Sequence, residues 1–128
     1  YRTHIIDDEV MGIVRAGLRQ GVLAGSGRRL STLPFSSAGK TGTAESGSGE
    51  SHAWFAGYTL NAIDTGQPDI AIAVIVENIG EGSEYAVPIF RAMVETYYYG
   101  SPQRIFYDFG PIGQPPYTPT PPGGGFVP

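Results

Sequence analysis

The sequence of 128 residues contains no cysteine. This absence excludes disulfide bonds, thiolate metal ligands and a cysteine nucleophile. Only two histidines occur, His4 and His52, and their wide separation argues against a histidine metal site. We therefore expect neither a metal ion nor another cofactor. No run of 18 apolar residues is present, so the sequence predicts no membrane-spanning helix.

Basic residues are also scarce. The chain has 8 Lys+Arg against 12 Asp+Glu, for a net charge of -4, and it shows no basic stripe that would suit a nucleic-acid backbone. Lys40 is the single lysine, and every other basic residue is an arginine. Lysine is a compact cation whose proton affinity can be tuned, whereas arginine stays protonated. A lone lysine within a stretch of glycine, threonine and serine is therefore the first candidate functional residue.

The length suits one domain at most. The sequence starts without an initiator methionine or a leader peptide, so we expect a piece of a longer protein. Residues 1–100 have a globular composition and form the expected domain segment. Residues 101–128 hold eight of the eleven prolines and only two charged residues. That composition favours an extended or disordered tail, and a proline-rich ligand segment is the less favoured alternative.

Hydrophobic periodicity predicts a first helix over residues 7–22, with Asp7 as its N-cap. Arg15, Arg19 and Gln20 fall off the apolar stripe, and we expect them in solvent. The predicted buried face consists of Val10, Ile13, Val14, Gly17, Leu18, Gly21 and Val22.

A second helix is predicted near the end of the domain segment. Ser83 is a plausible cap for it, and Pro88 is tolerated because it falls near the first turn. The predicted buried face consists of Ala86, Ile89, Phe90, Met93, Val94 and Tyr97.

Strands are predicted between the two helices. Residues 53–60 are rich in aromatic residues, and residues 70–76 are continuously apolar, as expected for a strand covered on both faces. Residues 61–68 have the composition of a connecting loop. Together with residues 35–45, these strands predict a three-stranded antiparallel sheet in chain order. The segment 35–45 should be the edge that faces a groove. The expected fold class is α+β, with helices packed on the sheet.

The segment 38–45, Ala-Gly-Lys-Thr-Gly-Thr-Ala-Glu, allows three interpretations. A phosphate-binding loop needs glycine at position 34, where Pro34 stands, and needs a helix after Lys40, which Gly42 interrupts. A serine nucleophile of the S-x-x-K type is matched by Ser37 and Lys40. In a strand, however, these two side chains point to opposite faces, so we treat that match as accidental. The third interpretation is a Lys-Thr-Gly strand beside an active serine that lies elsewhere.

Five segments together support the third interpretation. In order, they resemble the C-terminal third of the transpeptidase domain of class B penicillin-binding proteins, most closely the cell-elongation type. The resemblance covers residues 7–99, and its most specific part is Gly-Lys-Thr-Gly-Thr-Ala joined to His-Ala-Trp-Phe-x-Gly-Tyr. The five segments are residues 14–18, 38–45, 52–58, 72–78 and 86–89.

The resemblance implies a C-terminal portion of the fold shared by penicillin-binding proteins and serine β-lactamases. It implies a D,D-transpeptidase that cross-links peptidoglycan stem peptides ending in D-Ala-D-Ala and that is acylated by β-lactams. Lys40 would supply positive potential and join the proton network of the serine. Thr41 and Thr43 hydroxyls would bind the substrate carboxylate, and Gly42 would let an extended peptide approach. The backbone N–H of Thr43 would be one of two oxyanion-hole donors.

Two further motifs of the family, S-x-x-K and S-x-N, are not found in the chain once Ser37 is rejected. We therefore expect the chain to need the remainder of the transpeptidase domain, as a missing segment or as another chain. A glycan-polymerising membrane partner and a location at the outer face of the cytoplasmic membrane are expected by resemblance. A serine β-lactamase and a non-catalytic β-lactam sensor or scaffold protein remain as alternatives. For His52, a hydrogen bond at the strand end is favoured over a catalytic base, and for Trp54 and Phe55 sheet packing is favoured.

Overall fold

The computed structural model describes residues 5–47, 49–60 and 67–103. Most of the predicted loop 61–68 and most of the predicted tail 101–128 lie outside the described residues. The predicted order of helix, strand, strand, strand and helix is confirmed. The elements are α1 (Asp8–Leu23), a short 3₁₀ helix (Arg28–Leu30), β1 (Ser36–Ala44), β2 (His52–Leu60), β3 (Ala71–Val76) and α2 (Ala86–Tyr99).

The three strands form one antiparallel sheet in the order β1-β2-β3. In its register Lys40 lies opposite Ala56, and Phe55 lies opposite Val74. Strand β1 is therefore an edge of the sheet formed by the described residues, as the sequence predicts. The arrangement confirms the α+β class.

The two faces of the sheet differ in what covers them. On one face, here called the helix face, α2 packs against the odd-numbered side chains of β2, and the rings of Phe55 and Phe90 meet edge to face at 4.7 Å. Val22 and Leu30 join the same core from α1 and the 3₁₀ helix. The opposite face, here called the lysine face, has at its centre Lys40, Trp54, Ala56, Tyr58, Ala71, Ala73 and Ile75. Among the described residues, no helix covers the centre of the lysine face.

The predicted buried face of α2 is partly wrong. Met93 is 45% exposed, whereas Arg91 and Glu95 are buried. The two charges are buried because Arg91 Nε donates to Glu95 Oε1 at 2.8 Å, and Arg91 Nη1 donates to the Arg29 carbonyl at 2.5 Å. A buried pair with further hydrogen bonds of this kind avoids the cost of an isolated buried charge. The pair ties α2 to the segment that leads into β1.

The start of α2 also departs from the prediction. Its N-cap is Tyr85, which makes no side-chain cap hydrogen bond, so Ser83 does not cap the helix. Pro88 lies in the first turn, as expected.

The first helix begins as predicted, since the Asp7 side chain accepts a hydrogen bond from Glu9 N at 2.8 Å. Its apolar face is nevertheless exposed in the described structure: Ile13 is 69% exposed, and Val22 is the one fully buried residue of the helix. The reason is that α1 meets the edge of β1 only through its C-terminal half. The sequence predicts Arg19 in solvent, and this prediction is wrong. Its Nη1 donates to the Ser37 carbonyl at 2.6 Å.

Strand β3 is apolar throughout, but only one of its faces is covered in the described structure. Val74 is buried on the helix face, and Ile75 on the lysine face is 44% exposed. The expectation of cover on both faces is thus not met by the residues described. Neither of the two α-helices in this part of the chain has the length and apolar content needed to cross a membrane.

The exposed apolar faces lead to a prediction about the chain of 128 residues expressed alone. The open surface is on the order of the several hundred Å² that marks an interaction site on a monomer. We expect the chain to bind a hydrophobic dye and to melt without a sharp transition. Replacing Ile13 and Ile75 together by glutamine should reduce dye binding, since both side chains are exposed. A cooperative thermal transition at micromolar concentration, without dye binding, would show that these faces need no cover.

Candidate functional site

The hydrogen-bond pattern of the sheet determines which peptide groups of β1 are free. Thr59 N donates to Ile70 O beyond the start of β3, so the odd-numbered residues of β2 bond toward β3. In an antiparallel sheet the bonding direction alternates along a strand. The even-numbered residues of β2 therefore bond to β1, and the register pairs them with even-numbered residues such as Lys40 and Gly42. The N–H and C=O groups of Thr41 and Thr43 consequently point to the free edge.

The first helix covers only the beginning of this edge. Arg19 binds the Ser37 carbonyl, and a Cβ atom added at Gly21 would lie 2.9 Å from the Gly39 carbonyl oxygen. Glycine at position 21 thus permits the close approach of the helix to the strand. In the described part of the chain, no strand pairs with the edge at Thr41 and Thr43.

Lys40 is exposed and starts from the lysine face. Its Nζ donates to the Thr41 carbonyl at 2.7 Å, so the ammonium group lies at the free edge of the strand. The lysine therefore has the position expected from the sequence, on an edge strand with one open side. An open apolar depression beside it is lined by Leu18, Ala56, Tyr58 and Ala73, among others.

The side chains of Thr41 and Thr43 extend on the opposite face from Lys40 because neighbouring residues of a strand alternate. Both hydroxyls already have partners. Thr41 Oγ1 shares a hydrogen bond of 2.5 Å with Ser26 Oγ, and Thr43 Oγ1 donates to Glu81 Oε2 at 2.8 Å. Sequence reasoning missed both partners, since each is distant in the chain and neither belongs to a motif.

Ser37 cannot act with Lys40 in this structure. The Ser37 side chain is fully buried on the helix face, whereas Lys40 is exposed on the other face. Its Oγ has no hydrogen-bond partner among the described residues. The match to S-x-x-K is therefore accidental, as the strand alternation predicts.

The loop of residues 77–85, here called the cap loop, fastens the end of the β1–β2 hairpin. Ile79 N and Gly80 N both donate to the Ser51 carbonyl, at 3.0 and 2.9 Å. Asn78 N donates to His52 Nδ1 at 3.0 Å, which agrees with the expectation that His52 makes a hydrogen bond at the strand end. The cap loop therefore holds the hairpin at the end where Thr43 lies.

Gly82 provides the closest packing within the cap loop. A Cβ atom there would collide with the Trp54 carbonyl oxygen and would lie 2.6 Å from the Gly42 carbonyl oxygen. No side chain fits against these two backbones.

The cap loop also contains Tyr85. Burial and, to a smaller extent, the Glu84 and Glu50 carboxylates raise the pKa of the Tyr85 phenol above 10.0. Tyr85 therefore adds no charge near the edge at neutral pH.

The aromatic residues of β2 divide between the two faces. Phe55 packs in the core as predicted, but Trp54 is 38% exposed on the lysine face. None of the described residues covers the Trp54 ring completely, so the predicted packing on the sheet is only partial.

Among the described residues, no group of three or more histidine, aspartate or glutamate side chains could hold a metal ion. The described residues thus bring to the site one cation, two hydroxyls, the Glu81 carboxylate and an open strand edge.

The sequence also matches a known protein family. Residues 2–95 match the family described as penicillin binding protein transpeptidase domain. No curated protein and no solved structure matches the sequence. Because the matched region covers most of the chain and includes α1, the sheet with Lys40 and most of α2, the chain belongs to the family of penicillin-binding protein transpeptidase domains.

Proposed function

We propose that the chain is the C-terminal part of a class B, elongation-type penicillin-binding protein. It supplies the Lys-Thr-Gly side of the active site in a D,D-transpeptidase that cross-links peptidoglycan stem peptides. The observation that carries this proposal is the free edge of β1, where the Lys40 ammonium is bonded to the Thr41 carbonyl and the Thr43 peptide group points outward two residues further along. The nucleophilic serine belongs to a segment outside this chain.

The geometry suits an extended peptide that ends in a carboxylate. Such a peptide can pair with the edge peptide groups of Thr41 and Thr43 by strand addition, and Gly42 offers no side chain that would obstruct it. Lys40 provides positive potential for the carboxylate and a proton-sharing group for the serine. Thr41 and Thr43 hydroxyls bind the carboxylate.

In the acyl transfer, the serine oxygen bonds to the carbonyl carbon of the penultimate D-alanine, and the terminal D-alanine leaves with the proton. The negative charge that develops on the carbonyl oxygen is stabilised by the Thr43 N–H and by the N–H of the serine. Loss of one such donor costs about 3–4 kcal/mol of transition-state stabilisation. The amino group of a second stem peptide then attacks the acyl carbon, the ester bond to the serine breaks, and the proton from the amine returns to the serine oxygen.

The segment with the serine is the proposed cover of the lysine face. Exposed apolar side chains surround Lys40 there, and the chain offers nothing among its described residues to cover them. The complete enzyme would act in the cell envelope, at the outer face of the cytoplasmic membrane, with a glycan-polymerising partner. It would also be acylated by β-lactams.

The test is substitution of Lys40 in the complete enzyme. Lys40→Ala should abolish acylation by a labelled penicillin, and Lys40→Arg should fail almost as completely, because guanidinium is larger and does not share its proton. Thr41→Ala should be milder, since one hydrogen bond to a charged group contributes about 1.5–3 kcal/mol. The measurement is the second-order acylation rate constant.

Ser37→Ala is the matched control and should leave the acylation rate unchanged, because Ser37 is buried on the other face. If the Lys40→Ala variant folds and is acylated at nearly the wild-type rate, the proposal that this chain belongs to a transpeptidase loses its main support. The lifetime of the acyl-enzyme separates the alternatives: a β-lactamase hydrolyses it rapidly, whereas a transpeptidase keeps it. An acylated protein that never transfers the stem peptide would be a sensor.

A second prediction concerns the hold of the cap loop on the edge strand. Gly82→Ala places a methyl group against the Trp54 and Gly42 carbonyls, so the loop must move away from the strand end. We expect the complete enzyme to remain folded but to acylate at least about tenfold more slowly, which corresponds to about 1.4 kcal/mol. Gly12→Ala is the control, because nothing lies within 4 Å of the added atom and Gly12 falls off the apolar face of α1. Equal rates for the two variants would show that the cap loop does not position the edge.

A further inference from the structure

The hydrogen bond between Thr43 and Glu81 has a defined direction. An ionised carboxylate has only acceptor sites, whereas a hydroxyl has a single proton to donate. The Thr43 proton therefore points to Glu81 Oε2, 2.8 Å away. While this bond lasts, the Thr43 hydroxyl has no proton left for another carboxylate.

Glu81 is fixed in this position by its backbone. Its carbonyl accepts hydrogen bonds from Glu84 N at 3.1 Å and from Tyr85 N at 3.2 Å, which lead into α2. On either side of Glu81, Gly80 N is bonded to the Ser51 carbonyl and Gly82 packs against the strand backbones. The loop thus presents the carboxylate to Thr43, although the side chain itself is exposed.

We propose that Glu81 is a specificity-determining residue that competes with the carboxylate of an incoming ligand for the Thr43 proton. This inference rests on the proposed function, in which Thr43 binds the substrate carboxylate. The Glu81 carboxylate takes the place on the hydroxyl that the substrate carboxylate needs, and the two negative charges repel each other. A ligand with a free carboxylate must displace Glu81, whereas a ligand with a neutral group at that position need not.

The size of the effect follows from the charges. Two unit charges about 5 Å apart at a solvent-exposed site repel by roughly 1 kcal/mol, since the effective dielectric constant there is high. That repulsion corresponds to a change in affinity of roughly three- to tenfold. It should appear in the binding step, because Glu81 acts on the hydroxyl that holds the ligand carboxylate and has no role in the proposed acyl transfer.

The experiment uses the complete enzyme with Glu81→Gln and Glu81→Ala. The probes are a labelled penicillin with its free carboxylate and the methyl ester of the same penicillin. We expect both variants to be acylated roughly three- to tenfold faster by the free acid, through a lower dissociation constant of the initial complex and an unchanged acylation rate constant. The ester should react with each variant as with the wild type.

Glu84→Gln is the matched control, because it removes an exposed cap-loop carboxylate whose side chain is not bonded to Thr43, and it should change the rate less than twofold. In high salt the increase in the acylation rate of the Glu81→Gln variant should become smaller, because salt screens the repulsion between the charges. Slower or unchanged acylation by the free acid, or an equal gain with the ester, would overturn the role of Glu81. If the wild type is not acylated at all, the proposed function fails instead.

Discussion

The pairing of β1 with β2 through their even-numbered residues is the constraint on which the candidate site depends. It directs the peptide groups of Thr41 and Thr43 to the free edge and places Lys40 on the opposite face from their side chains. A shift of one residue would reverse every side chain of β1 and turn the Thr43 N–H into the sheet. Phe55 in the core and the two close-packed glycines Gly39 and Gly57 oppose such a shift, because a side chain at either glycine would collide with the Phe55 ring.

An open edge strand usually promotes aggregation, and proteins cover or charge such edges. In this chain a different segment contacts each end of β1. The first helix covers the beginning through Arg19 and Gly21, and the cap loop holds the far end through Ser51 and Gly82. Between them the edge carries the Lys40 ammonium, and no strand of the described residues pairs with it. Among the described residues, the backbone that stays uncovered is the stretch on which the proposed peptide binding depends.

The sequence predicted the elements better than their environment. Strand order, the edge position of Lys40 and the isolation of Ser37 follow from local patterns of apolar, glycine and β-branched residues, which alternate with a period of two. Periodicity could not show that Arg91 and Glu95 are buried, because their burial depends on the Arg29 carbonyl, which is distant in the chain. For the same reason local patterns could not predict the hydrogen bonds of Thr41 with Ser26 and of Thr43 with Glu81. The exposure of Ile13 and Ile75 also cannot be predicted from periodicity, because an apolar stripe does not identify the element that covers it.

The exposed lysine face connects folding with the proposed chemistry. Apolar residues surround Lys40 there, and any segment that buries them also removes water from around the ammonium group. Electrostatic interactions strengthen as the local dielectric constant falls, so the attraction between Lys40 and a substrate carboxylate would grow in the covered state. One event, the docking of the segment that carries the serine, would thus complete the hydrophobic core and adjust the only lysine of the chain for catalysis.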